Sequence, residues 1–153
     1  VVGSAAFAQV ATAPSDAVVL APLSITANAT TLSFGRIIRS SVASTTNTIS
    51  VDTAGARTIT GAGNGAAAPG GTVGRAIFAV TGTDNNGITI AAPSFNLTRG
   101  GGTETLPVTP SFTATANLVS GTVNVPVGGS ITIADTTVAG TYTGTLSVTF
   151  AYQ

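Results

Sequence analysis

The stretch GTYTGTLSVTFAYQ, residues 140–153, alternates apolar and small polar side chains and indicates the fold class of the whole chain. One face carries Tyr142, Gly144, Leu146, Val148, Phe150 and Tyr152, and the other carries Thr, Ser and Ala. A period of two is typical of a β-strand with one buried face. Residues 141–152 would span roughly 40 Å at about 3.3 Å per residue, about twice the usual strand length.

The rest of the chain repeats this pattern in shorter, Thr- and Val-rich pieces separated by Gly, Pro and Asn, which favours strands joined by turns. We predict strands at 17–26, 31–38, 48–52, 57–60 and 75–81. Pro22 restricts the first of these to an edge or a bulge. We predict a surface loop at 61–74, a turn at 84–87, and a turn at Gly128-Gly129 between two Val- and Ile-rich strands.

Many short strands with loops of uneven length indicate an all-β protein, and an open β-sandwich is favoured over a closed barrel. We predict two parts: residues 1–16 form an N-terminal arm and linker, and residues 17–153 form the sandwich. Pro14 in the linker resists continuation of a sheet. No apolar run reaches the length of a membrane-spanning helix, so no membrane insertion is expected.

The composition excludes several classes of function. Charged residues make up 7% of the 153 residues, and the net charge is zero without any Lys, so a nucleic-acid partner is not expected. His and Cys are also absent, which removes the commonest catalytic bases, nucleophiles and metal ligands. The five acidic residues are isolated in sequence. We therefore expect no enzymatic activity, no metal and no cofactor.

The C-terminal strand carries a prediction about assembly. A long strand with an apolar face and an open edge pairs readily with another chain. Neither Lys nor Pro protects this strand after Gly144, and we expect no later strand to flank it. Either an earlier strand or a second molecule must cover the edge. A surface with few charges also offers little electrostatic resistance to self-association.

This ending resembles that of chaperone–usher pilins, the major subunits of fimbriae. Tyr152 is penultimate and Gly140 is fourteenth from the end, as in that family. The chain also resembles short secreted bacterial β-domains of unassigned function, at 22–25, 32–35, 78–82, 127–129 and 140–144. The absence of Cys places the chain outside the pilin branches that carry a disulfide.

The resemblance implies an immunoglobulin-like sandwich that lacks its last strand and is completed by a strand donated from a neighbouring copy. It also implies an extracellular, cell-surface filament whose subunits are exported through the periplasm, with a periplasmic chaperone and an outer-membrane usher as further partners. The acceptor groove and C-terminal strand would then comprise Gly140, Tyr142, Leu146, Val148, Phe150 and Tyr152.

The donor would be the arm at residues 1–12. One register points Val1, Gly3, Ala5 and Phe7 into the groove, and the other points Val2, Ser4, Ala6, Ala8 and Val10. The first is favoured because Phe7 supplies the largest apolar side chain. Residues 6–9 also match the end of a signal peptide, so 1–8 are either mature arm or signal remnant.

The predicted function is therefore a structural subunit of a bacterial pilus, polymerised by donor-strand exchange. Two alternatives remain open at this point. One is a secreted glycan-binding adhesin or matrix module, and the other is a surface-array component joined through lateral faces. The low aromatic content, 5%, counts against the first alternative because glycan sites commonly use surface aromatic rings.

Overall fold

The computed structural model describes Gly3, residues 8–27 and residues 30–153, and all regular structure in these ranges is β. No helix occurs in them, and so none that is long and apolar enough to cross a membrane. The all-β prediction is confirmed. The strands are β1 (Ser24–Ala27), β2 (Ser33–Phe34), β3 (Ile37–Ile38), β4 (Thr46–Val51), β5 (Arg57–Gly61), β6 (Ala66–Ala67), β7 (Val73–Gly74), β8 (Ala76–Thr81), β9 (Gly87–Ala91), β10 (Phe95–Arg99), β11 (Thr105–Ser111), β12 (Thr115–Asn117), β13 (Thr122–Ala134), β14 (Tyr142–Thr143) and β15 (Thr149–Tyr152).

The larger sheet is antiparallel and has the order β1-β8-β13-β11-β10-β14, with the β4–β5 hairpin joined to β13. The first half of β13 pairs with β8 and its second half pairs with β4. The predicted turn at Gly128-Gly129 is wrong, because β13 runs straight through both residues. A Cβ on Gly128 would collide with the carbonyl oxygen of Val51. The glycine therefore permits close approach of β4 rather than a reversal of the chain.

The smaller sheet has the order β12-β9-β15, and it packs face to face on the part of the larger sheet formed by β8 and the first half of β13. The buried cluster between the two layers, called the sandwich core below, confirms the predicted β-sandwich. Its buried members are Ala76, Val80, Ile88, Ile90, Leu118, Val125 and Val127.

A second buried cluster, called the lateral core below, lies where the larger sheet curls around the second half of β13. It contains Phe34, Ile49, Val51, Leu106, Val108, Ile131 and Ile133. Residues 61–74, predicted as a loop, carry β6 and β7, which pair with β3 and β2.

The first strand is shorter than predicted. It begins at Ser24 and not at residue 17, and residues 8–20 have no assigned strand. The side chains of Val18 and Val19 are 81% and 88% exposed. β-branched composition alone does not produce a strand where no neighbouring segment supplies hydrogen bonds. As Pro22 indicated, β1 lies at the end of its sheet's strand order.

The C-terminal segment is also not the single strand that its alternation predicts. β14 pairs with β10 of the larger sheet, whereas β15 pairs with β9 of the smaller sheet. Residues 144–148 connect the two and belong to neither ladder. The break has a physical cause, since one extended segment crosses from one layer to the other and cannot keep both sets of hydrogen bonds.

Candidate functional site: an apolar groove beside the C-terminal strand

An open groove of about 280 Å³ lies at the junction of the sandwich core and the lateral core. Residues that follow β1 in sequence, within 30–34, form one part of the lining, and Gly144 and Leu146, which precede β15, form another. Residues of β8 and β10 complete the lining. None of the lining residues is ionisable, so the groove favours an uncharged, apolar occupant. The lining residues are Thr30, Thr31, Leu32, Phe34, Ala76, Phe78, Phe95, Leu97, Gly144 and Leu146.

Two aromatic rings of the sandwich core lie close together next to this groove. Phe78 lines the groove from β8, and its ring centroid is 5.8 Å from that of Phe150 on β15. The ring planes are tilted by 57°, a geometry that aromatic pairs favour over direct stacking. Both side chains are only half-buried. An apolar occupant of the groove would therefore remove further aromatic surface from water.

The backbone beside the groove is open as well. Within the described ranges, no main-chain hydrogen bond joins residues 144–148 to another segment. On β15, the N–H of Gln153 donates to the carbonyl oxygen of Gly87 at 3.0 Å, so alternate main-chain groups of this strand point towards β9. The main-chain groups of Phe150 and Tyr152 therefore point away from β9, to a side where the described part of the chain places no strand.

The open edge thus extends over residues 144–152, or roughly 30 Å at about 3.3 Å per residue. An extended peptide that lies along it would find main-chain donors and acceptors beside the groove. Strand addition of this kind combines backbone pairing with pockets for alternate side chains.

The structure separates the residues that the sequence grouped on one face of the C-terminal strand. Leu146 lines the groove, and Val148, Phe150 and Tyr152 pack on the sandwich core. The remaining two lie elsewhere. Tyr142 packs on the lateral core and donates its hydroxyl proton to the carbonyl oxygen of Val138 at 2.7 Å.

Gly140 is exposed in the turn before β14, outside the groove lining. A Cβ at this position would come within 2.7 Å of Cδ of Arg99. Of the predicted donor residues, Gly3 is exposed, and Val1, Ala5 and Phe7 lie outside the described residues.

Sequence reasoning missed most of the groove. Leu32, Phe78, Phe95 and Leu97 come from three other segments, and their convergence depends on pairings between residues far apart in the chain. The only available signal was the alternation that marked each of them as a core residue of its own strand.

An ion pair closes the β10–β11 turn away from the groove lining. Nε of Arg99 donates to Oε2 of Glu104 at 2.7 Å, and a second guanidinium nitrogen donates to Oε1 at 3.2 Å. The hydrogen bond from Arg99 lowers the pKa of Glu104 and raises that of Arg99. Glu104 is the acidic residue of this turn, and its ion pair with Arg99 gives it a structural role.

A second depression of about 510 Å³ lies between β4 and β11, lined partly by hydroxyl groups and by the ring of Phe112. Oδ1 of Asp52, on its wall, accepts hydrogen bonds from the N–H groups of Ala54 and Ala56 at 2.9 and 2.8 Å, as in a turn-stabilising Asp. In the part of the chain that the structure describes, no three His, Cys, Asp or Glu side chains come together as a metal site.

Comparison with known proteins gives one match. Residues 23–152 match the family model described as "Domain of unknown function (DUF4402)". No curated protein and no solved structure matches the chain. The match begins after residues 8–20, which have no assigned strand, and it includes every strand described above, from β1 to β15.

Proposed function

The chain belongs to the DUF4402 family, and from this premise we propose that it is a structural subunit of an extracellular bacterial filament. In this proposal the groove beside β15 accepts the N-terminal arm of a second copy, so that each subunit completes its neighbour. The observation that carries the proposal is the open edge at 144–152 beside an uncharged apolar groove.

The order of the strands supports this reading. An immunoglobulin-type sandwich has strands A, B, E and D in one sheet and C, F and G in the other. β1, β8, β13 and β11 follow the first order, and β9 and β15 occupy the positions of C and F. The seventh position, G, lies along the outer edge of β15, where the described residues place no strand. A donated strand would fill this position.

The segment that precedes β1 supports it too. Residues 9–19 are exposed throughout and make no described hydrogen bond to the sandwich. Apolar side chains such as Val10, which is 86% exposed, contribute little hydrophobic stabilisation in an isolated chain. They gain from burial if the segment, together with residues 1–7, lies on another molecule.

Within this proposal, export through the periplasm requires that the groove be covered until assembly, a role suited to a periplasmic chaperone acting before an outer-membrane usher. An open edge of this length beside apolar side chains would otherwise promote uncontrolled association.

A specific observation favours one alternative, a glycan-binding module. The depression near Phe112 offers an aromatic ring together with the hydroxyl groups of Ser and Thr. A glycan array probed with monomeric protein tests it, and a specific signal lost on Phe112→Ala would support it over assembly.

Deletion of residues 1–12 tests the main proposal. The truncated chain should fold, because the sandwich begins after residue 20, but it should form no filaments in negative-stain images and no ladder on unboiled SDS gels. A synthetic peptide of residues 1–12 should bind the truncated chain and raise its melting temperature, as any ligand of the native state does. A scrambled peptide serves as the control. Normal filaments from the truncated chain would refute the proposal.

A further inference from the structure

Three hydrogen bonds form a closed ring between segments that are far apart in the chain. The N–H of Ala21 donates to Oγ1 of Thr83 at 2.7 Å, and the N–H of Thr83 donates to the hydroxyl oxygen of Tyr152 at 2.8 Å. The hydroxyl of Tyr152 in turn donates to the carbonyl oxygen of Ala21 at 2.7 Å. We call these three residues the tyrosine clamp. The hydroxyl of Tyr152 both accepts and donates, whereas the hydroxyl of Thr83 accepts, and the ring joins the start of the sandwich to its last strand.

Gly82 provides the space that the clamp needs. A Cβ at this position would collide with the hydroxyl oxygen of Tyr152 and would come within 2.8 Å of Cδ2 of Leu23. Only a residue without a side chain therefore leaves room for the tyrosine hydroxyl above the backbone at this point.

The clamp lies where the exposed segment ends and the sandwich begins. Ala21 precedes β1 and is outside its ladder with β8, yet both of its main-chain polar groups are bonded within the clamp. Two residues later, Leu23 packs against the sandwich core. Residues 9–19, before the clamp, are exposed. The direction in which the segment leaves the sandwich is consequently set at Ala21.

We infer that Tyr152 is a positioning residue that fixes the direction of the chain's own N-terminal arm. The inference rests on the proposed function, in which the outer edge of β15 receives the arm of a neighbour. β15 then holds the base of its own chain's arm through Tyr152 and binds the arm of a neighbouring copy along its outer edge. The clamp thereby sets the angle between successive subunits and the stiffness of the filament.

Two substitutions and a matched control test the inference. Tyr152→Phe keeps the ring and removes the hydroxyl that Thr83 and Ala21 share. Thr83→Val keeps the branched shape and removes the acceptor of the Ala21 N–H. Tyr142→Phe is the control, because it removes a tyrosine hydroxyl bonded at Val138, outside the clamp.

The first readout uses the full-length monomer and does not depend on filaments. The chain has no Cys, so Ser15→Cys and Thr132→Cys place two spin labels without competing sites. We expect the distance distribution between the labels to broaden in Tyr152→Phe and Thr83→Val but not in Tyr142→Phe. Amide exchange at Thr83 should accelerate roughly fivefold in Tyr152→Phe, the factor that corresponds to one hydrogen bond.

The second readout is the persistence length of filaments in negative-stain images. Thr83→Val should still polymerise, because Thr83 lies outside both the groove lining and the open edge at 144–152, but its filaments should lose stiffness relative to those of Tyr142→Phe. If wild-type chain forms no filament, the proposed function fails and the label distances still decide the clamp. Unchanged distance distributions in both clamp variants would overturn the inference, whether or not filaments form.

Discussion

Replacement of Thr31 by Asp should separate assembly from folding. Thr31 is exposed in the free chain and lines the groove, as Leu146 does. A hydrated carboxylate at such a position should change the free energy of unfolding of the monomer by no more than about 0.5 kcal/mol. When a donated strand fills the groove, the same carboxylate loses water beside apolar side chains. Unlike Arg or Lys, Asp is too short to carry its charge back to solvent.

The size of the effect follows from the cost of that desolvation. An unsatisfied buried polar group costs about 1–3 kcal/mol, and a charged one more, so we take about 2–3 kcal/mol for a carboxylate at the groove wall. Since about 1.4 kcal/mol corresponds to a tenfold change in affinity, the arm should bind roughly 30- to 150-fold more weakly.

The assay is titration of the truncated chain, residues 13–153, with the peptide of residues 1–12, followed by calorimetry. Thr113→Asp is the matched control, because Thr113 is exposed between β11 and β12 and does not line the groove. Both variants should melt within a few degrees of the parent chain. Equal peptide affinities for Thr31→Asp and Thr113→Asp would refute the assignment of the groove as the arm's binding site.

Three further predictions concern other parts of the molecule. Gly82→Ala should lower the free energy of unfolding by about 1–3 kcal/mol through overpacking, and it should displace the hydroxyl of Tyr152. Urea denaturation measures the first effect, and amide exchange at Thr83 measures the second. An unchanged urea midpoint would contradict the crowding at this glycine. Phe7→Trp introduces a single Trp into a chain that has none, and its emission should shift to shorter wavelength on polymerisation; a spectrum unaffected by polymerisation would contradict the favoured register. The pKa of Glu104 is lowered in the folded chain by Arg99, so its contribution to stability is present above the ordinary pKa of Glu and is lost as the pH falls through the lowered value. At neutral pH the melting temperature of Glu104→Gln should therefore be lower than that of the parent chain, and this difference should shrink as the pH falls to about 3. A difference that stays constant with pH would contradict the ion pair.

The candidate site was accessible from sequence only in part. The alternation of residues 140–153 correctly placed Leu146, Val148, Phe150 and Tyr152 on apolar faces. It did not separate Tyr142 from them, because alternation records which face of a strand is apolar and not which core that face meets. The opposite wall, with Thr31, arises from a distant segment whose position depends on the pairing of β1 with β8.

The tyrosine clamp could not be predicted from the sequence either. The sequence offered Gly82 and Tyr152 as parts of two separate motifs and gave no reason to connect them. Their relation required β15 to pair with β9, which brings the end of the chain to the β8–β9 connection. Hydrogen bonds between residues 69 and 131 positions apart cannot be read from local spacing.

The amino-acid sequence by itself determined the all-β class, the open sandwich and the apolar character of the C-terminal segment, because side-chain alternation and turn residues are local properties of the chain. It could not determine that β13 continues through Gly128-Gly129 or that residues 144–148 leave one sheet for the other. Those outcomes were decided by the tertiary structure. Glycine permits both a turn and a close approach, and only the position of the neighbouring strand selects between them. The open edge beside the groove also depends on the tertiary structure, because the edge of a strand is open only where no other strand pairs with it.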